Sequence, residues 1–164
     1  MRLRAAQLSD IPQITALFKE AISDMCLRGI HQWDEIYPSC ELLRSDVEKR
    51  QMYVLVCEGV IVSAVVINDE QDEEYKSAQW KYTKANAAVI HRLCVHPSHQ
   101  GRGYGRASVT EAERLMKSMG YTAVRLDAFS QNPFALKLYE RLGYERAGEV
   151  RFRKGIFFLY EKLL

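Results

Sequence analysis

The sequence predicts one α/β domain, a mixed sheet flanked by helices. Three observations carry this. First, β-rich runs and amphipathic helical runs follow one another in the order β, α, α, β, β, β, α, β, α, β, β. Second, "AAVIHRLCV" (87–95) is too continuously apolar for an exposed edge and reads as a central strand. Third, "VHPSHQGRGYGR" (95–106) sets Gly101, Gly103 and Gly105 between that strand and a helical pattern, although glycine is costly in regular structure.

Taken in order, "MRLRAA" alternates and reads as a short first strand. Asp10 and Gln13 stand at capping-box spacing before a helix whose stripe is Ile11, Ile14, Phe18, Ala21, Ile22 and Met25. "LRGIHQWDEIYP" breaks that period and reads as a loop. Ser39 is placed to cap a second helix running to about Arg50. "MYVLVCEGVIVSAVVIN" reads as a hairpin turning at Glu58 and Gly59. The acidic stretch "NDEQDEEYKSAQWKYTKAN" reads as a solvated loop. After the central strand and the glycines, Val109, Ala112, Met116 and Met119 form one helical stripe that Gly120 ends. "TAVRLDAF" is a strand. "NPFALKLYERLG" is a helix, with Asn132 at the N-cap, Pro133 at the first position and Gly143 past the end. "EVRFRKGIFFLYEKL" reads as a final hairpin turning near Lys154 and Gly155.

Length and composition narrow the function classes. A chain of 164 residues, 48% hydrophobic, suits a single domain with a real core. The net charge is +2 without a dense Lys/Arg run, so no nucleic-acid partner is expected. Cys26, Cys40, Cys57 and Cys94 form no Cys-x-x-Cys pair, which indicates neither zinc nor a disulfide framework. No metal is expected, and reduced thiols fit a cytoplasmic protein. The N-terminus lacks a signal-peptide core, and no run approaches the ~20 apolar residues of a membrane span. No membrane partner is expected, and a homodimer is compatible with everything above.

The glycine loop has a chemical reading and a plain one. A helix start offers free N–H groups and partial positive charge, and glycines let an anion approach them. Arg102 and Arg106 add charge, so the loop reads as a phosphate or pyrophosphate cradle. The plain reading is a tight strand-to-helix connection. No Gly-Lys-Ser/Thr follows and no Gly-x-Gly-x-x-Gly is present, which sets aside the Walker and dinucleotide fingerprints. What remains is Gln-x-x-Gly-x-Gly at Gln100, Gly103 and Gly105, after Leu93, Val95 and Pro97.

"RLCVHPSHQGRGYGRASV" resembles the acetyl-CoA-binding motif of the GNAT superfamily of N-acetyltransferases. "NPFALKLYERLGY" resembles that family's second signature at Asn132, Ala135, Tyr139, Gly143 and Tyr144. The resemblance implies a mostly antiparallel central sheet, with one parallel strand pair that splays, flanked by about four helices. It also implies acetyl-CoA as co-substrate. The pantetheine arm would pair with backbone at Leu93, Cys94 and Val95. The pyrophosphate would sit on amides of Gln100, Gly101, Arg102, Gly103, Tyr104, Gly105 and Arg106, with Asn132 as a further contact beside its capping role.

The reaction so implied is attack of a primary amine, on a small molecule or a peptide, on the acetyl thioester. Tyr139 matches the family's tyrosine acid, and equally reads as an aromatic on a buried helix face. Some members carry a carboxylate base on the strand before the loop, and this chain has none there. His91 is that strand's titrating group, on the face of Val89, Leu93 and Val95 if alternation holds; a packed histidine or a water chain are the other readings. Trp33, Tyr37 and Trp80 fall in the regions that form the acceptor pocket in the family, where aromatic and acidic groups would suit a cation. Trp33 and Tyr37 read equally as cover for the core edge. A non-catalytic module that holds or senses acyl-CoA is the rival function.

Overall fold

The computed structural model describes residues 2–164. The strands are β1 (Leu3–Ala5), β2 (Met52–Cys57), β3 (Val60–Asn68), β4 (Ala87–Val95), β5 (Ala123–Phe129), β6 (Glu145–Phe152) and β7 (Gly155–Leu163). The helices are α1 (Ile11–Leu27), α2 (Cys40–Glu48), α3 (Tyr104–Ser118) and α4 (Pro133–Arg141). The sheet runs β1-β2-β3-β4-β5-β7-β6. β4 and β5 are parallel, paired from Ala87 with Ala123 to Ile90 with Leu126, and the pairing stops well short of the end of β4. The pairings β1–β2, β2–β3, β5–β7 and β6–β7 are antiparallel, so the sheet is mixed and mostly antiparallel, as expected. The chain divides into two compact units.

The first unit holds residues up to Ile67 together with Arg92–Ala112. Ile14, Leu17, Phe18 and Ala21 of α1 recur every three or four residues and face Leu43, Val47 and the inner side of the β2–β3 hairpin. Ser39 Oγ accepts from Leu42 N (3.1 Å), the predicted cap. The hairpin turns through Glu58 and Gly59, both at positive φ, as a two-residue turn between twisted strands requires.

Two expectations fail in this unit, and Trp33 falls to the second of its two readings. The capping box at Asp10 and Gln13 is not made. Asp10 takes Arg4 Nη1 (2.7 Å) and Nη2 (3.0 Å) and Gln7 N (2.8 Å), and Gln13 Oε1 accepts from Ile61 N. Trp33 is a core ring, 7% exposed and 5.4 Å from Phe18, because the loop after α1 turns inward there. Strand alternation also breaks in β4: Arg92 lies at φ 50, so His91 and Leu93 do not keep a simple two-residue period. Arg92 is spent on Asp46, donating Nε to Oδ2 (2.9 Å) and Nη2 to Oδ1 (2.7 Å).

The second unit holds Asn68–His91 and Glu113–Leu164. Here the acidic stretch is only partly a solvated loop. Residues 69–74 are exposed, but a 3-10 turn at Glu73–Ser77 buries Tyr75. Lys81 N and Tyr82 N then bond the buried Glu161 carboxylate (2.5 and 3.4 Å). β6 begins at Glu145, earlier than the predicted start at Glu149; a register irregularity between Arg146 and Gly148 breaks the alternation that would have marked it. In α3, Val109, Ala112 and Met116 are buried as expected, while Met119 beyond the helix end is exposed. No helix among the described residues is long and apolar enough to cross a membrane.

Candidate functional site

In the first unit, the loop after β4 is built by local bonds. His96 Nδ1 accepts from Ser98 N (3.2 Å), and Gln100 Nε2 donates to Val95 O (3.3 Å). Gly101 (φ 74) and Gly103 (φ 83) take left-handed conformations that glycine adopts without strain. Ala107 N donates to Gly103 O (2.9 Å), so Gly103 caps α3. The amides of Tyr104, Gly105 and Arg106 then form the first helical turn, where no intrahelical acceptor exists. A Cβ on Gly101 or Gly103 would stand in open space with no heavy atom within 4 Å. Free amides, the positive end of a fifteen-residue helix and an open approach are what a phosphate requires. Arg102 and Arg106 are exposed beside it.

Some predicted cofactor residues have side chains engaged elsewhere. Cys94 is buried in the core, and burial pushes its thiol pKa well up, so only its backbone is left to a ligand. Tyr104 Oη donates to Cys57 Sγ (3.3 Å), and its ring meets His99 edge-on. Leu93 and Val95 are half-buried. Tyr37 Oη accepts from Arg92 Nη1 (3.0 Å), so this tyrosine extends the Asp46–Arg92 pair.

In the second unit, Asn132 Oδ1 accepts from Ala135 N (3.1 Å) and Pro133 opens α4, as predicted. Tyr139 faces inward, 6% exposed, with its ring 5.6 Å from Tyr144 and 6.4 Å from Tyr160. Burial first, and the Asp127 charge second, hold its phenol far above the usual tyrosine range. It therefore keeps its proton at neutral pH. His91 Nε2 lies 2.8 Å from Asn68 Oδ1 and 3.2 Å from Glu70 O. Two carbonyl oxygens at one ring nitrogen call for an N–H there.

The sequence reading named Trp80 but missed the cluster it joins around β5. Tyr75 Oη donates to Asp127 Oδ2 (2.7 Å). Burial and that carboxylate push the Tyr75 phenol well up. Trp80 stands half-buried, with Arg125 stacked over its ring at 4.3 Å. Gln71, Asp72, Tyr75, Lys76, Trp80 and Arg125 line a cavity of about 310 Å³. One signal was available: Arg125 and Asp127 are charges at alternate positions of the otherwise apolar "AVRLDAF", hence on one face of an interior strand.

The profile of the Acetyltransferase (GNAT) family matches residues 15–144. An uncharacterised N-acetyltransferase of Methanocaldococcus jannaschii is 35% identical over 68 residues, 42% of this chain and 30% of that protein. The matched stretch spans less than a third of the curated relatives' length. Among solved structures, a GNAT-family acetyltransferase from Streptococcus agalactiae superposes with a TM-score of 0.86 at 23% identity, covering 99% of this chain and 95% of that one. The PaiA N-acetyltransferase of Thermoplasma acidophilum, solved with coenzyme A, gives 0.76 at 18% identity, covering 99% and 98%. At these identities the superpositions speak for the fold. The profile, which spans most of the sequence and both motif regions, shows more: the chain belongs to the Acetyltransferase (GNAT) family.

Proposed function

We propose that this chain is an acetyl-CoA-dependent N-acetyltransferase that moves the acetyl group to a primary amine by direct attack in a ternary complex. The observation that carries the reading is the open cradle at Gly101–Arg106, with its left-handed glycines and first-turn amides. The coenzyme A complex of PaiA, a protein of the same fold, supports the ligand. In the reaction, the amine lone pair attacks the thioester carbonyl carbon. The C–S bond then breaks, and the sulfur leaves as thiolate.

Tyr139 is the proposed donor to the sulfur: its buried phenol stays protonated and offers an O–H hydrogen bond to the departing thiolate, whose proton comes in the end from the amine by way of the base. The amine's proton goes to a base. His91 is one candidate, with Nε2 as donor to Asn68 and Glu70. Asp127 is the second, favoured by one observation: it is a half-buried carboxylate on β5, held in place by Tyr75 Oη (2.7 Å). Comparing rate–pH profiles of His91→Ala and Asp127→Asn separates them, because only loss of the true base removes the acidic limb.

Acetyl-CoA should raise the melting temperature by binding the folded state, with NAD and ATP at equal concentration doing much less. CoA release in a thiol assay against an amine panel tests turnover. No shift at millimolar acetyl-CoA would sink the reading. A clear shift without CoA release from any amine would favour the acyl-CoA-sensing alternative.

A further inference from the structure

We infer that the acceptor carries a carboxylate as well as its amine, and that Arg125 binds this carboxylate in the β5 cavity. The inference rests on the acetyltransferase reading for the word "acceptor", but the carboxylate site itself stands on the second unit alone.

Arg125 is 9% exposed, on a strand in the sheet interior. Its guanidinium lies over Trp80 at 4.3 Å, and that ring is held by Trp80 Nε1 donating to Tyr75 O (2.8 Å). Nη1 donates to Gln71 Oε1 (2.8 Å), and Nη2 reaches Tyr82 O only at 3.5 Å. Nε is buried and has no hydrogen-bond partner among the described residues. Glu161 sits opposite Arg125 in the strand register, but its two oxygens accept from the Lys81 and Tyr82 amides. A buried charge without close pairing is costly, and such groups normally carry a paired partner. Here the fork of donors is oriented by a fixed ring beside a cavity of about 310 Å³, the size of a small-molecule site. A planar fork of this kind matches a carboxylate with two parallel bonds.

The groups around the cavity also set where the amine goes. Lys76 lines it but is tied to Glu73 (2.6 Å). Asp72 lines it with negative charge. Tyr75 lines it too, and bonds Asp127, two positions along β5 on the face of Arg125. A carboxylate on Arg125 with an ammonium beside Asp72, in a cavity of this volume, describes a small molecule, an amino acid or a close relative, with opposite charges on matching groups.

The test pairs free amino acids of increasing length with their carboxamides, as acceptors with acetyl-CoA, alongside peptides with acidic or neutral second residues. The acid should exceed its amide in kcat/KM by roughly 10- to 100-fold, the scale of a hydrogen bond to a charged group. Arg125→Gln should erase that preference, and Gln71→Ala, at an exposed position, should reduce it with the fold intact. A second readout needs no turnover: Trp80 fluorescence during titration with N-acetyl amino acids and with their amides. It should respond to the acids alone, and Trp80→Phe should remove the response. Preference for free amino acids points to a metabolite acceptor, and preference for acidic peptides to a peptide one; both keep the carboxylate. Equal use of acid and amide, with equal fluorescence titrations, overturns the inference while acetyl transfer stands. If acetyl-CoA neither binds nor turns over, the enzyme reading fails, and the fluorescence titration still decides the carboxylate site.

Discussion

The loop at Gly101–Arg106 and the cavity beside Arg125 are two ways of meeting an anion. The loop uses backbone amides at a helix start, open to solvent, with its arginines exposed. Empty, such amides are satisfied by water and cost little. The cavity uses a guanidinium buried in a sheet and left partly unpaired. Empty, that group is a standing penalty. A backbone cradle suits a donor common to a whole family, whereas a buried, oriented charge rejects molecules that lack the matching group.

Arg92 sharpens the contrast, because it is a buried arginine that does have its partner. Its side chain is 10% exposed and that of Asp46 is 4% exposed, with a bidentate contact between them. Asp46→Ala leaves that guanidinium buried without its counter-ion, with Tyr37 Oη as its remaining acceptor among the described residues, and should cost about 3–5 kcal/mol of stability by chemical denaturation. Arg125→Gln breaks no hydrogen-bonded ion pair, but it removes the positive charge opposite the buried Glu161 carboxylate, and should cost about 1–2 kcal/mol, less than Asp46→Ala. Equal losses in the two variants would mean that Arg125 is a structural charge like Arg92, and the comparison would collapse.

The next largest effect is expected at Tyr139→Phe. The ring contacts to Tyr144 and Tyr160 survive while the O–H donor is lost. Turnover should fall ~10²-fold or more, with the acetyl-CoA dissociation constant little changed. Because the phenol is held above its ordinary range, the wild-type rate should show no basic limb from it below a pH of about 10. Wild-type turnover in the variant would return Tyr139 to a packing role.

These two regions were unequally legible. The loop is contiguous, and its glycines, helix start and neighbouring strand announce one another within a dozen residues. Asn132, Pro133 and Gly143 did the same for α4, since caps are local. The cavity joins residues 71–82 to Arg125 and Asp127, more than forty positions away, through a 3-10 turn that an acidic stretch disguises. Only Tyr75 and Trp80 hinted that this stretch had an inward side. Trp33 stays open between pocket wall and core cover in the sequence, because nothing near it in the chain announces Phe18, the distant ring it packs against. The residue at φ 50 in β4 left no mark in the sequence, since arginine carries no preference for that conformation.

Gly103→Val probes the loop side of the comparison. It forces a branched residue to φ 83 and fills the open space beside the first-turn amides. Coenzyme A affinity should drop by about tenfold or more, while the fold loses only roughly 1–2 kcal/mol, since the strain is local. An unchanged dissociation constant in a folded variant would put the phosphates elsewhere.

The smallest expected effect is at Asn132, where a local structural role and a proposed ligand role share one side chain. Its Oδ1 already accepts from Ala135 N, which ends the account of why α4 starts there. Asn132→Ala removes the cap and should cost about 1 kcal/mol. Asn132→Ser restores a capping oxygen but has no amide N–H to give, so its stability should return to within a few tenths of a kcal/mol of wild type. Coenzyme A affinity then reads the second role by itself. If the Asn132 amide donates to the cofactor, the serine variant stays weaker in binding by roughly three- to tenfold, a neutral hydrogen bond's worth. If the serine variant binds as wild type does, the side chain is a cap and nothing more, and cofactor recognition in this chain falls back on the backbone of the glycine loop.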